Sequence, residues 1–242
     1  MLVHPIKTRV FKENENLLAF IRAHIPKLKE NSVIVVTSKI VALAEGRTAK
    51  RVDLTTKEKL IRAESDYAVP TKWVWLTLKD GMIVSSAGID ESNSEEGKFI
   101  LLPKNSYASA ARLRAALKKA YKVKNLGIIV PDSRTVPLRA GVIALALGYS
   151  GVKGLRDYRG KPDIFGRTFK FERTGVVDSL STAATLVMGE GNEQCPLAVI
   201  EDAPVVFTDR VNPNELRIAP ADDMYLPFLS KLVKHKKKRR SS

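Results

Sequence analysis

Three acidic side chains stand where apolar segments end: Asp90 after "MIVSSAGI", Asp132 after "LGIIVP", and Glu190 after "STAATLVMG". Ends of strands and helices, and the loops leaving them, are where rigid scaffolds present ligands. Three carboxylates converging on one point would repel unless cations held them. Oxygen-only ligands suit Mg²⁺ or Mn²⁺, with water and phosphate oxygens completing the shell. Ser133 and Asn93 add neutral oxygen donors beside two of the three. Taken singly, each carboxylate also reads as a cap or a surface residue. The stretch "SSAGIDESN" (85–93) is an equally good turn, because Asp, Asn and Ser bond their own backbone and Gly88 permits a positive φ.

The elements that must position these residues are of α/β type. "ENENLLAFIRAHI" (13–25) has Leu17, Leu18, Ile21 and Ile25 at helical spacing, and "SVIVVTS" (32–38) is a β-branched run of buried-strand character. "KIVALAEG" reads as a helix ended by Gly46. "VWLTLKDGMIVSSA" (74–87) reads as two strands turning at Lys79-Asp80-Gly81. The clearest helix is 106–121, with Ala110, Leu113, Leu117 and Tyr121 as its apolar stripe. A second buried strand is expected at 126–133, a helix of small and apolar residues at 175–191, and a last strand at 195–203. Residues 160–169 read as loop or turn, and 203–230 are too irregular to assign.

Composition narrows the classes. The chain has 242 residues, 44% hydrophobic and 28% charged, as an ordinary globular protein does. It has no apolar run near the roughly 20 residues of a membrane span and no signal-like start, so a cytoplasmic protein without membrane contact is expected. The single Cys195 excludes an internal disulfide and a cysteine-based zinc site and reads as a small loop or core residue. His4, His24 and His235 pair with no nucleophile. Trp73 and Trp75 alternate as packing or base-stacking residues, and the Arg/Lys positions of 112–124 read as a solvated face or a polyanion contact. No GxxxxGK[ST] run occurs, which excludes a P-loop ATPase. Net charge is +15, and seven basic side chains fall in "KLVKHKKKRRSS" (231–242), leaving about +8 on the body. That tail reads as solvated, with nucleic acid as its available partner.

Five segments in order, "VVTSKIVALAEGR" (35–47), "AGIDESN" (87–93), "LLPKNSYASAARLR" (101–114), "ALGYSGVKGLRDYRGKPDIFGRTF" (146–169) and "VVDSLSTAATLVMGEGNEQCP" (176–196), resemble the coenzyme F-420-0:L-glutamate ligases, the CofE-type γ-glutamyl ligases. The resemblance runs from about residue 10 to 201. It implies a mixed α+β, CofE-like fold over residues 1–230 in two subdomains, followed by the basic tail, and an intertwined homodimer. It also implies a GTP- and divalent-metal-dependent ligase adding L-glutamate to an anionic acceptor carboxylate by way of an acyl phosphate. By position it assigns Asp90, Asp132, Ser133 and Glu190 to Mg²⁺ or Mn²⁺. Nucleotide contacts fall on Thr8, Arg9, Val10 and Phe11, on Ser38 and Lys39, on Asn93, and on Met188, Gly189, Gly191 and Asn192 of the loop 188–195. Asp90, Asp132, Glu190 and Arg139 form the expected catalytic set.

The chain departs from the pattern at two places. "KIVALAEGR" has Ala42 and Leu43 where the family has serine and a phosphate-side lysine, and "DSRTVPLR" has Thr135 and Val136 in place of Gly and Arg. Arg139 is retained, and Arg134, Arg139 and Lys39 are the cations expected to compensate. Two further functions therefore accompany the leading one: a folate-type γ-glutamyl ligase, and a non-catalytic nucleotide- or nucleic-acid-binding paralogue. Deleting residues 231–242 is expected to leave folding and ligase activity nearly unchanged and to remove most of the salt dependence of any RNA or DNA binding. Filter binding across a salt series checks it, and salt-insensitive binding that survives deletion removes the tail as the contact.

Overall fold

The computed structural model describes residues 1–94, 97–225 and 227; the basic tail 231–242 lies outside them. In chain order the elements are β1 (Leu2–Ile6), α1 (Leu17–His24), β2 (Ser32–Val36), α2 (Ser38–Ala44), β3 (Thr48–Lys50), α3 (Thr56–Ala63), β4 (Tyr67–Pro70), β5 (Trp75–Lys79), β6 (Met82–Ser85), β7 (Lys98–Ile100), α4 (Ser106–Tyr121), β8 (Leu126–Thr135), β9 (Val142–Ser150), β10 (Leu155–Asp157), β11 (Arg173–Gly175), α5 (Val176–Met188) and β12 (Leu197–Glu201). They form a mixed α/β protein in two compact units. The first unit comprises Met1–Gly46, Pro103–Ser133 and Val142–Leu216. The second comprises Arg47–Leu102, Arg134–Gly141 and the described residues after Leu216.

The first unit is built on a five-stranded sheet in the order β1-β12-β2-β8-β9. β2 runs parallel to β8, Ser32 opposite Leu126, and antiparallel to β12, Leu197 opposite Val36. Every residue of β2 is buried, because both faces of the sheet are covered. Ile34 and Val36 point into a core with Phe20 and Ile21 of α1, Ile40 and Val41 of α2, and Leu117 of α4. Val33 and Val35 point the other way, onto Val177, Leu180, Ala184 and Met188 of α5. The two-residue period of a strand thus serves two cores. Burying a Val or Ile side chain contributes about 1.5–3 kcal/mol, so this strand anchors the unit.

Helix starts follow the local chemistry. Asn16 caps α1 by accepting from the Ala19 amide at 3.0 Å, and Asn105 caps α4 by accepting from Ala108 at 2.9 Å. α5 begins differently. Its Asp178 accepts from the Ala146 amide at 2.9 Å, and its Thr182, one turn on, donates to the Ala144 carbonyl at 2.9 Å. Ala144 and Ala146 lie on β9, an edge strand of the sheet. Two helical side chains at i, i+4 therefore bond edge-strand backbone groups that no neighbouring strand reaches.

β10 and β11 pair antiparallel, and the chain between them continues as a hairpin arm, with Gly160 donating to the Phe169 carbonyl and Phe169 to that of Lys161. Asp163 organises its tip by accepting from the Phe165 and Arg167 amides, each at 2.8 Å. Ile164 and Phe165 at the tip are 92% and 76% exposed.

The second unit carries the meander β4-β5-β6 and the pair β3-β7 around a core of Ile61, Ala87, Ile89, Phe99 and Leu101, with Trp75 packed against it; Trp73 is exposed. Asp80 (φ 52) and Gly81 (φ 80) form the tight turn between β5 and β6. Immediately after β6, Ser86, Ala87 and Gly88 take φ of 50, 56 and 72 in succession. Buried Thr77 holds this left-handed run. Its hydroxyl donates to the Val84 carbonyl and accepts from the Ala87 amide. At Gly88 a Cβ would meet the Leu102 side chain at 2.5 Å, so both the φ and the space require glycine.

Burial pushes the Asp178 carboxyl up, against the lowering effect of its bond from Ala146. A raised folded-state value means that the native protein binds this proton more tightly than the unfolded chain does. Stability therefore falls as pH rises from the unfolded value, about 3.9, through the folded one, and remains lower above it. Asp178→Asn keeps the acceptor oxygen and removes the charge. It is expected to raise the thermal midpoint at pH 7, with the gain vanishing near pH 3, as read by circular dichroism melts across that range.

Candidate functional site

The strand directions decide where the expected residues meet. β1, β2 and β8 all end at one edge of the sheet, and β12, antiparallel to β1 and β2, begins there. The loop after β1, the start of α2, the end of β8 and the loop before β12 therefore share that edge. Two backbone bonds stitch it together: Thr8 donates to the Gln194 carbonyl at 2.9 Å and Thr37 to that of Pro196 at 3.1 Å.

Two side-chain bonds link the acidic residues here. The Ser38 hydroxyl donates to Asp132 Oδ1 at 2.9 Å, across 94 residues of sequence. The Ser133 hydroxyl donates to Glu190 Oε1 at 2.6 Å. Asp132 and Ser133 are neighbours on β8, so their side chains leave opposite faces of the strand and engage two different segments. Two carboxylates and two hydroxyls are thus organised by α2, β8 and the loop after α5. Glu190 also lies just beyond the C-terminus of α5, whose last turn carries no basic residue. A helix C-terminus is negative and disfavours further anions, so the arrangement favours a cation. Among the described residues no group of three His, Cys, Asp or Glu could hold a metal ion on those side chains alone. The donor set fits a hard cation taking its remaining ligands from water or phosphate oxygens, as Mg²⁺ commonly does.

The other expected contacts divide. Thr8 is buried and its hydroxyl donates to the Arg9 carbonyl at 2.7 Å. Val10 is exposed, and Lys39 is half-buried on the first turn of α2. Phe11 and Met188 are core side chains, 6% and 2% exposed, so any ligand contact there belongs to their backbone. The loop 189–192 is exposed. Its Gly191 amide donates to Glu193 Oε2 at 2.8 Å, and the Glu193 carboxylate fills the hollow where a Cβ at Gly189 would stand. That brace was not read from the sequence; a glutamate two residues after Gly-x-Gly is its one signal.

Asp90, Asn93 and Arg139 belong to the second unit. Asp90 accepts from the Ser92 amide at 2.7 Å and the Ser92 hydroxyl at 2.9 Å, and its backbone bridges to Ile100. The turn reading of "AGIDESN" is therefore realised, with Asn93 at φ 55. Arg139 is exposed, and Arg134 is buried at 5% exposure.

The comparisons with known proteins bear on these residues as a set. Residues 5–202 match the family model described as F420-0:Gamma-glutamyl ligase. The chain belongs to that family of amide-bond-forming ligases. A coenzyme F420:L-glutamate ligase of Methanococcus maripaludis is 42% identical over 131 residues, 54% of this chain, and the chain spans about half (52%) of that relative's length. Proteins of the same name from Methanopyrus kandleri and Methanocaldococcus jannaschii are 34% and 30% identical over 202 and 230 residues. Those alignments cover 75% and 85% of this chain and 79% and 91% of the relatives.

Leu43, where a lysine was expected, packs half-buried against the first core, and its carbonyl accepts from the Asn14 amide at 2.9 Å. Leu43→Lys therefore removes apolar packing as well as adding charge, and is expected to destabilise the first unit by about 1–3 kcal/mol. Urea unfolding followed by tryptophan-independent circular dichroism measures it. An unchanged midpoint would show that the leucine can be exchanged without loss of packing.

Proposed function

We infer that the protein is a GTP- and divalent-metal-dependent γ-glutamyl ligase that joins L-glutamate to an anionic acceptor of the F-420-0 type. The observation that carries the reading is the edge where Ser38, Asp132, Ser133 and Glu190 are linked between the loops 7–16 and 188–196. Family membership supplies the reaction class. The relatives are named for coenzyme F420 and L-glutamate, and those substrates are carried here from their names.

An unactivated carboxylate does not acylate an amine in water. In the proposed reaction an acceptor carboxylate oxygen attacks the γ-phosphorus of GTP, the bond to the β–γ bridging oxygen breaks, and GDP leaves. The glutamate amine then attacks the acyl carbon, loses a proton and expels inorganic phosphate, forming the amide. Asp132, Ser133 and Glu190 would hold Mg²⁺ or Mn²⁺, which supplies charge neutralisation and alignment of phosphate oxygens when bound. Ser38 keeps the Asp132 carboxylate turned toward the edge. Lys39 is the cation of α2 nearest that bond in sequence. We also propose a homodimer, supported by exposed apolar groups that one copy leaves uncovered, Ile164 and Phe165 on the arm and Leu76 and Ile83 on the meander.

The test combines the chain with GTP, Mn²⁺, L-glutamate and either the deazaflavin acceptor or a folate, with product mass and GDP release as readouts. Expected are one GDP per amide formed, preference for the deazaflavin acceptor, and loss of at least about a hundredfold in rate for Glu190→Gln. Light scattering on the same preparation should give twice the 26.8 kDa chain mass. Nucleotide binding without amide formation from any acceptor would replace this reading by the non-catalytic one.

A further inference from the structure

Four lysines, Lys118, Lys119, Lys122 and Lys124, stand at the end of α4 and in the turn that follows it. The ligase reading uses none of them. α1 ends beside them, and it and the chain after it add Arg22, Lys27 and Lys29. The two segments are bound into one surface. The Tyr121 hydroxyl donates to the Ile25 carbonyl, the Lys124 amide to Glu30 Oε2 at 2.9 Å, and the Asn125 side-chain amide to Asn31 Oδ1 at 3.0 Å. β2 and β8 begin here, Ser32 opposite Leu126. Ser38 and Asp132 lie at the other ends of those strands, so the two edges of the first unit are separate places.

The carboxylates that bond at this edge are already engaged. Glu201 pairs with Lys29 at 2.6 Å, and Asp209 is shared between Arg114 at 2.6 Å and Lys118 at 3.5 Å. Glu30 accepts from the backbone amides of Lys124 and Asn125. Arg22, Lys27, Lys119, Lys122 and Lys124 are exposed and form no salt bridge among the described residues.

Two ordinary explanations fall short of this surface. The C-termini of α1 and α4 attract cations, but each carries only about half an elementary charge, less than five open cations supply. An interfacial membrane contact would bring apolar side chains out beside the charges, and no large hydrophobic residue of segments 22–31 and 117–125 is exposed. Five like charges on a braced surface repel one another and are relieved by a line of anions. Ammonium groups meet phosphate oxygens as point charges and leave base edges unread.

We propose that this edge of the first unit binds the phosphodiester backbone of nucleic acid, without regard to sequence, and that Arg22, Lys27, Lys119, Lys122 and Lys124 are its phosphate contacts. The surface is distinct from the basic tail and from the candidate site, and it stands whether or not the chain ligates glutamate.

The test measures binding of a short mixed-sequence DNA duplex, the RNA duplex of the same sequence, and phosphatidylserine vesicles across a salt series. It compares the full chain with Lys119→Gln, with the triple variant Lys119→Gln, Lys122→Gln and Lys124→Gln, and with a control triple, Lys59→Gln, Lys72→Gln and Lys153→Gln. The tail is present in every arm, so a difference between the two triples belongs to the surface. The slope of log affinity against log salt should flatten by about 0.9 in the single variant and by about 2–3 in the surface triple, and stay within about 0.5 of wild type in the control. Both duplexes should weaken in parallel, because the phosphates are common to them. Melting curves report the folding of each variant, and a purely structural role at the helix ends would lower the midpoint and leave the slope alone. An unchanged slope in the surface triple, an equal change in the control, a loss confined to one duplex, or no duplex binding by the wild type would each overturn the proposal. Vesicle binding lost in the surface triple while duplex binding persists would replace it with a membrane contact.

Discussion

The parallel pairing of β2 with β8 is the constraint from which the candidate site follows. Parallel neighbours end on the same side, so Ser38 and Asp132 emerge together although 94 residues separate them. The antiparallel β12 then has to begin where β2 ends, which delivers the loop 188–196 to the same edge, and β1 delivers Thr8 and Arg9. Hydrophobicity alone does not set this register, because both faces of β2 are apolar and a one-residue slip would still bury valines and isoleucines. Polar bonds at the strand ends do. Asn31 donates to the Asn125 carbonyl at one end, where Glu30 also accepts from the Lys124 and Asn125 amides. Thr37 donates to Pro196 at the other. The strand is pinned at both ends, and the serine–aspartate contact lies just beyond one of them.

Electrostatics at that edge are arranged in two separate ways. Asp132, Glu190 and the C-terminus of α5 concentrate negative character, which suits a cation and repels a bare phosphate. Arg9, by contrast, is neutralised within its own loop by Glu15. In a chain of net charge +15 this is informative. The long-range field draws anions toward the protein, while at this edge Arg9 is already paired with Glu15.

Sequence reading recovered the parts with one strong local signal. The helix at Ser106–Tyr121, the β-branched strand at Ser32–Val36 and the Asp80-Gly81 turn each follow from spacing, branching or a required positive φ. It missed β9, whose "VIALALGYS" has no alternation because α4 and α5 both pack on it. It missed β1 and, in the second unit, β3, β4 and β7 for a related reason: a three- to five-residue edge strand is defined by its partner. Asp132, Ser133 and Glu190 were legible as acids and hydroxyls at element ends. Their bonding to Ser38 and to one another was not, since it depends on a non-local strand order. Glu15 was illegible for a different reason, because a surface glutamate six residues from an arginine has no pattern until the turn at Lys12–Glu15 closes.

The departures at positions 42 and 43 fit this division between core and edge. Ala42 has no exposed surface and Leu43 packs half-buried against the first core. A serine at 42 would bury a hydroxyl among apolar side chains and require a partner there, at a penalty of about 1–3 kcal/mol if it found none. A lysine at 43 would have to run its stem along the same surface to bring its ammonium out. With alanine and leucine, α2 becomes a more fully apolar helix whose polar work is confined to its first turn, at Ser38 and Lys39. The cation that the family pattern places on the second turn of this helix is then absent from α2, and Lys39, on the first turn, is the one lysine or arginine that the helix keeps.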